Sequence, residues 1–261
     1  MNSSGFPLQI GIQRHIEKTQ NIHGWSVLAK ELPWHNLSAD TNGFVDLVLT
    51  NQYDTQKIII ECKRVRETSW LFLEPDTRNA DRRHATFWVT CVEDDNTHYF
   101  NWFEAALDPS SPESAFCVVH GQDPKSKPML ERTAAELLDA TEAIAFEEYQ
   151  LHKKDKTRFL SFYCSVIATT AELRICTFNP EDISTEKGEI HKAEFRKVPF
   201  LRFRKSLSTR QPSHVGVKSF KEAIGAKERT VFVVNAEHIV EFVQSLEIQD
   251  SPSMYQRICG T

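Results

Sequence analysis

The sequence predicts an α/β protein built as α-β-β-β-α-β around a central mixed sheet, with an inserted β-hairpin region and a C-terminal extension. Three observations predict it. Two apolar strand patterns flank a polar turn between Phe44 and Val65, a long helical pattern starts at Met129, and further β-rich runs follow that helix. At 261 residues and 40% hydrophobic content the chain can close one sizeable core. A single domain over 1–261 is therefore expected, with its core at about 5–66 and 129–178, an insertion at about 67–128 and a strand and helix extension at about 179–248.

Pro7 to Thr19 reads as a helix, because Leu8, Ile12 and Ile16 fall on one face. Gly24 breaks it, and Trp25–Leu32 follows as a strand. Phe44–Thr50 and Lys57–Val65 are the next two strands, with Asn51, Gln52, Tyr53 and Asp54 supplying the turn. The Ile58–Ile60 run suits a strand covered on both faces. After the aromatic stretch Trp70–Leu73, Thr77–His84 reads as a basic loop near the site. Thr86–Val92 and His98–Ala105 read as a hairpin, and Ala115–His120 as a short strand. Asp108–Pro112 and Gly121–Pro128 are loops by their Pro, Gly and Ser content. From Met129 to His152, Leu130, Leu137, Ile144 and Leu151 recur every seven residues, opposite an acidic face that includes Glu131, Glu136 and Glu142. Phe159–Ala168 and Leu173–Phe178 are expected to continue the sheet, and Asn179–Lys192 to connect it onward through a turn at Lys187-Gly188. Thr230–Val234 is a final strand, Asn235 caps a helix to Leu246, and the tail from Asp250 is expected to be loose.

The chemistry concentrates at the end of the third strand. Glu61 and Lys63 share one strand face while Cys62 points to the other, and Asp46 interrupts the apolar run of the neighbouring strand. Two carboxylates brought together repel and lose hydration, so something must compensate them. A divalent cation does so: Mg²⁺ is held by one or two carboxylates plus waters and substrate phosphate oxygens. The Cys62 backbone carbonyl offers a further hard ligand, and Lys63 can orient or deprotonate water, or stabilise charge on the phosphorane. That set suits metal-assisted phosphodiester hydrolysis. The plainer reading is a same-face ion pair of Glu61 and Lys63 at a solvated strand end, with Asp46 a simple edge charge.

The pattern Asp46 … Glu61-Cys62-Lys63 resembles the PD-(D/E)XK nuclease superfamily, with Val45 where the family's proline stands. The resemblance covers about the first quarter of the chain. It implies a restriction-endonuclease-like core and a Mg²⁺-dependent (or Mn²⁺-dependent) endonuclease. Asp46 and Glu61 would be the metal ligands, Lys63 the catalytic lysine, and bacterial restriction or anti-phage defence the setting. It also implies an acid on the first helix. Glu17 matches best, with Gln13 one turn earlier and Glu31 a rival from the first strand. The alternative is a catalytically inactive nuclease-fold protein that serves as a nucleic-acid-binding or assembly subunit.

Net charge is −5, but its distribution matters more than its sum. Lys192 to Arg210 carries a net +6, and Arg202 and Arg204 share a strand face opposite Lys205. With Arg64 and Arg66, these residues are the expected nucleic-acid contacts, DNA rather than RNA. A protected edge strand, or a partner for the acidic helix, explains the same segment equally well. Six scattered cysteines without a C-x-x-C pair read as buried free thiols, giving an expected cytoplasmic location and no structural zinc. No run is long enough to span a membrane and no secretory signal is visible. A homodimer or a partner protein is compatible with the sequence.

Overall fold

In the computed structural model the described residues are 5–66, 68–75, 81–93, 96–119, 128–155, 158–207, 219–249 and 252–259. The chain opens with α1 (Phe6–His23), β1 (Ser26–Asn36), β2 (Thr41–Thr50) and β3 (Gln56–Lys63). Next come β4 (Ser69–Glu74), β5 (Arg82–Glu93), β6 (Asn96–Ser111), β7 (Glu113–Ser114) and β8 (Phe116–Val119). The long α2 (Met129–Asp155) leads into β9 (Phe159–Thr169) and β10 (Glu172–Thr177). The short pair β11 (Ile183–Ser184) and β12 (Glu189–Ile190) precedes β13 (Glu194–Lys197), β14 (Phe200–Ser206) and α3 (Phe220–Gly225). β15 (Glu228–Asn235), α4 (Ile239–Ser245), β16 (Glu247–Ile248) and α5 (Pro252–Cys259) close the chain.

A mixed sheet in the order β1-β2-β3-β9-β15-β14-β7 forms the centre. β1, β2 and β3 are antiparallel neighbours, and β9 then lies parallel to β3, joined to it by a crossover that includes α2. The opposite edge of β9 is divided. Phe159–Tyr163 pairs antiparallel with β5, and Val166–Thr169 pairs parallel with β15. Helices cover both faces, which is why Ile58, Ile59 and Ile60 are all fully buried. Ile58 and Ile60 pack with Ile12 and Ile16 of α1 and Phe242 of α4, while Ile59 packs with Leu137 and Ile144 of α2. Each such burial stabilises by about 1.5–3 kcal/mol.

The local signals explain most boundaries. Pro7 starts α1, and Gly24, at φ 74°, ends it with its N–H on the Gln20 carbonyl. In the β2–β3 turn, Asn51 Oδ1 accepts from the Thr55 and Gln56 N–H groups, and Asp54 takes a left-handed φ of 56°.

Four expectations need correction. β10 leaves the central sheet for a second one, ordered β13-β10-β4-β8, whose Trp70, Phe72, Leu173 and Ile175 pack into the α2-side core. Trp70–Leu73 is thus a strand. The 67–128 region contributes β5 directly to the central sheet, and Asp108–Ser111 lies within β6 rather than a loop. The tail forms α5, because Met254 and Ile258 supply two apolar anchors one turn apart that bury in the α1-side core. Of the expected loop Thr77–His84, Arg82–His84 belong to β5 and Thr77–Ala80 lie outside the described residues, as do Gly121–Lys127 of the expected loop Gly121–Pro128 and Arg210.

Candidate functional site

The site forms where β2 parts from β3. Leu47 and Ile60 are the last paired residues of that ladder, so Asp46 and Glu61 stand just past its end. Instead of a further main-chain bond, Asp46 Oδ2 accepts the Cys62 N–H at 2.6 Å. The N–H and C=O of one strand residue lie on the same edge, so Cys62 also turns its carbonyl toward Asp46. Glu61 Oε1 accepts from Lys63 Nζ at 2.6 Å, the two side chains being 21% and 31% exposed. The Lys63 carbonyl is anchored in turn by Thr169 Oγ1 of β9 at 2.8 Å. Asp46, Glu61, Lys63 and the Cys62 backbone are thereby brought together.

Two further elements approach. Lys30 faces Leu47 and Leu32 faces Val45 across β1 and β2, which puts Glu31 opposite Asp46. Glu31 has a left-handed backbone at φ 48°, a conformation that costs a non-glycine residue about 1–2 kcal/mol. The inside-outside alternation slips at the same point, since Val45 belongs to the α2-side core and Leu47 to the α1-side core. From α1, buried Gln9 donates Nε2 to the Asp46 carbonyl at 2.9 Å. A cleft of about 490 Å³ runs from Glu61 between the β1–β2 hairpin and α2, lined also by Trp34, Thr41, Gly43 and Glu136. Gly43 packs closely there: a Cβ would stand 3.2 Å from the Trp34 ring, which would have to shift by a few tenths of an ångström.

The electrostatics are those of crowded acids. Burial first, and then the Glu31 charge, hold the Asp46 carboxyl above its usual range, against the lowering pull of the Cys62 N–H and Lys63. Burial also raises Glu61, opposed by Lys63 and assisted by Asp46 and Glu136. Among the described residues no group of three or more His, Cys, Asp or Glu side chains is gathered to hold a metal ion. The oxygens gathered here are the Asp46 and Glu61 carboxylates and the Cys62 carbonyl; a hard cation held by them would keep most of its shell as water or phosphate oxygen.

No protein-family model, curated protein or solved structure matches this chain.

Several predicted residues take other positions. The Glu17 carboxylate is held by Gln13 Nε2 at 2.7 Å and approached by Arg14 at 4.0 Å. It sits two turns beyond Gln9, about 12 Å along α1, and the charges acting on Asp46 come from Glu31 and Lys63 instead. Arg202 is fully buried, donating to the carbonyls of Pro109, Leu107 and Arg83 and to Ser111 Oγ, with its guanidinium over the Phe232 ring. Burial pushes its pKa down to about 10. Arg204 is paired with Glu228 at 2.9 Å and Glu104 at 2.7 Å, and Lys205 with Glu131 of α2. All three side chains are thus engaged within the fold, Arg202 by burial and Arg204 and Lys205 by ion pairs. Lys205 follows the acidic-helix reading. Arg64 is half-buried and Arg66 exposed, just beyond the end of β3.

Sequence reasoning missed Gln9 and Glu136. Gln9 carried a weak signal, lying one turn before Gln13 on the apolar side of α1. Glu136 belonged to an acidic face that looked uniformly solvated.

Proposed function

We propose that this chain is a divalent-cation-dependent nuclease of restriction-endonuclease-like fold, acting on DNA. One observation carries the reading: the Asp46 carboxylate is locked onto the backbone of the Glu61-Cys62-Lys63 strand end, beside the Glu61–Lys63 pair. The order α1-β1-β2-β3-α2-β9, with β9 parallel to β3, supports it.

The donor set fits Mg²⁺ or Mn²⁺. Asp46 keeps Oδ1 and Glu61 keeps Oε2 beyond the bonds described, and both acids are destabilised by burial and like charge, which a cation relieves. When bound, such a cation lowers the pKa of water and neutralises charge on a transferring phosphoryl group. The chain's own residues do the positioning. Gln9 fixes the Asp46 backbone and Cys62 N–H fixes its carboxylate. Lys63, held by Glu61, presents an ammonium that orients water and balances charge on the phosphorane.

The test is cleavage of plasmid, linear DNA and RNA with Mg²⁺, Mn²⁺ or chelator. Asp46→Ala, Glu61→Ala and Lys63→Ala should each lower cation-dependent cleavage of DNA by about 10²-fold or more, because they act as a unit. Wild-type cleavage by Lys63→Ala would overturn the lysine's role.

A second reading is favoured by the use of Arg202, Arg204 and Lys205 inside the fold: a non-catalytic nuclease-fold subunit delivered to nucleic acid by a partner. It expects no cleavage by wild type under any cation, and binding only with that partner present.

A further inference from the structure

Away from the cleft, β5 and α5 bring two thiols into contact. Cys91 Sγ lies 3.2 Å from Cys259 Sγ, although 168 positions separate them in sequence. Neither is in a disulfide. Cys91 is buried at 1% exposure, whereas Cys259 is half-buried. The two line an open cavity of about 350 Å³ together with Arg158, Leu160 and Tyr255. A small reagent entering this cavity meets Cys259 at the surface, with Cys91 behind it. Position is enforced by α5 itself, whose Met254 and Ile258 are buried and whose Arg257 stacks 4.6 Å over the Phe103 ring.

We propose that Cys91 and Cys259 form a redox-modification site that takes a low-molecular-weight disulfide and closes to a reversible disulfide fastening α5 to β5. The cavity geometry assigns the order of events. The Cys259 thiolate attacks one sulfur of R–S–S–R, forming Cys259–S–S–R and releasing RS⁻. Cys91, losing its proton, then attacks the Cys259 sulfur, forming the Cys91–Cys259 bond and releasing the second RS⁻. Two protein thiols are oxidised and one external disulfide is reduced to two thiols, which take up the two protons. Competing thiols are handicapped: burial pushes Cys164 up to about 12 and raises Cys117 as well.

The experiment treats the full chain with oxidised glutathione, alkylates the remaining thiols, maps the peptides and records melting. A Cys91–Cys259 cross-linked peptide is expected, with a melting temperature raised by roughly 5–15 °C and both effects reversed by dithiothreitol. Cys259→Ser, a change at a half-exposed helix end, should melt like the reduced wild type and lose both the cross-link and the shift. A glutathione adduct stalled on Cys259 in the wild type, a cross-link to another cysteine, or no reaction at either thiol would overturn the proposal.

Discussion

Asp46 Oδ2 occupies the place of a strand carbonyl, so its charge can be removed without losing the acceptor that Cys62 N–H needs. That separates titration from hydrogen bonding. Because burial raises the folded pKa values of Asp46 and Glu61, the fold binds their protons more tightly than the unfolded chain does. The resulting stabilisation is complete below the unfolded carboxylate range, about pH 4, and is lost as pH rises through the raised folded values. In chelator, the stability of wild type relative to Asp46→Asn should therefore fall as pH climbs. Added Mg²⁺ or Mn²⁺ should restore it at the upper end only, and urea midpoints across the pH range check this. Arg202 gives a prediction of opposite kind. Arg202→Met should cost about 3–5 kcal/mol in urea unfolding, because three carbonyls and one hydroxyl lose their donor inside the core. Asp46, Glu61 and Lys63 were legible because a single turn sets their register. The cage around Arg202 was not, since its acceptors come from residues about a hundred positions away.

The two ends of β3 behave as separate elements. At the far end from the candidate site, Lys57 is 2% exposed and donates to Glu148 Oε1 of α2 at 2.7 Å and to Ser161 Oγ of β9 at 3.1 Å. Tyr163 bonds the other Glu148 oxygen at 2.5 Å. Glu148→Gln leaves the buried ammonium only the exposed Asp54 carboxylate at 3.3 Å as counter-charge and should cost about 3 kcal/mol. Lys57→Met leaves a carboxylate that can still reach water and should cost clearly less. Chemical denaturation of both, and of the double variant, decides whether this asymmetry holds. For α5, Ile258→Ala should lose about 2–4 kcal/mol by the same measurement. Helix α2 and strands β2, β3 and β9 were readable because each carries a long, consistent apolar pattern. β4 and α5 were not, since six and eight residues give too few repeats to separate strand, helix and loop.

At the scale of the whole molecule, the positive charge between Arg196 and Lys205 is largely engaged within the fold. Arg196 faces Glu74 and Asp81, and Lys197 pairs with Glu172, alongside the Arg204 and Lys205 pairs. Cations already held by carboxylates should contribute little to the salt dependence of DNA binding. Arg64→Ala and Arg66→Ala should each reduce the log–log slope by up to about one unit, and Arg204→Ala should leave it unchanged. Fluorescence anisotropy against salt concentration measures both. The mixed α/β class with a central mixed sheet was readable because local patterns define its elements. The division between two sheets was not, because β10 and β13 find their partners only in the assembled molecule. The divided edge of β9 matters during synthesis. A nascent chain that has emerged only to residue 207 can already pair β9 with β3 and β5, but Val166–Thr169 must wait for β15 at 228–235. Until then an apolar strand with unpaired amides is displayed beside the ribosome. Chains stalled just before β15 should accordingly bind holdase chaperones and aggregate on release, whereas chains stalled after full emergence of α5 should not.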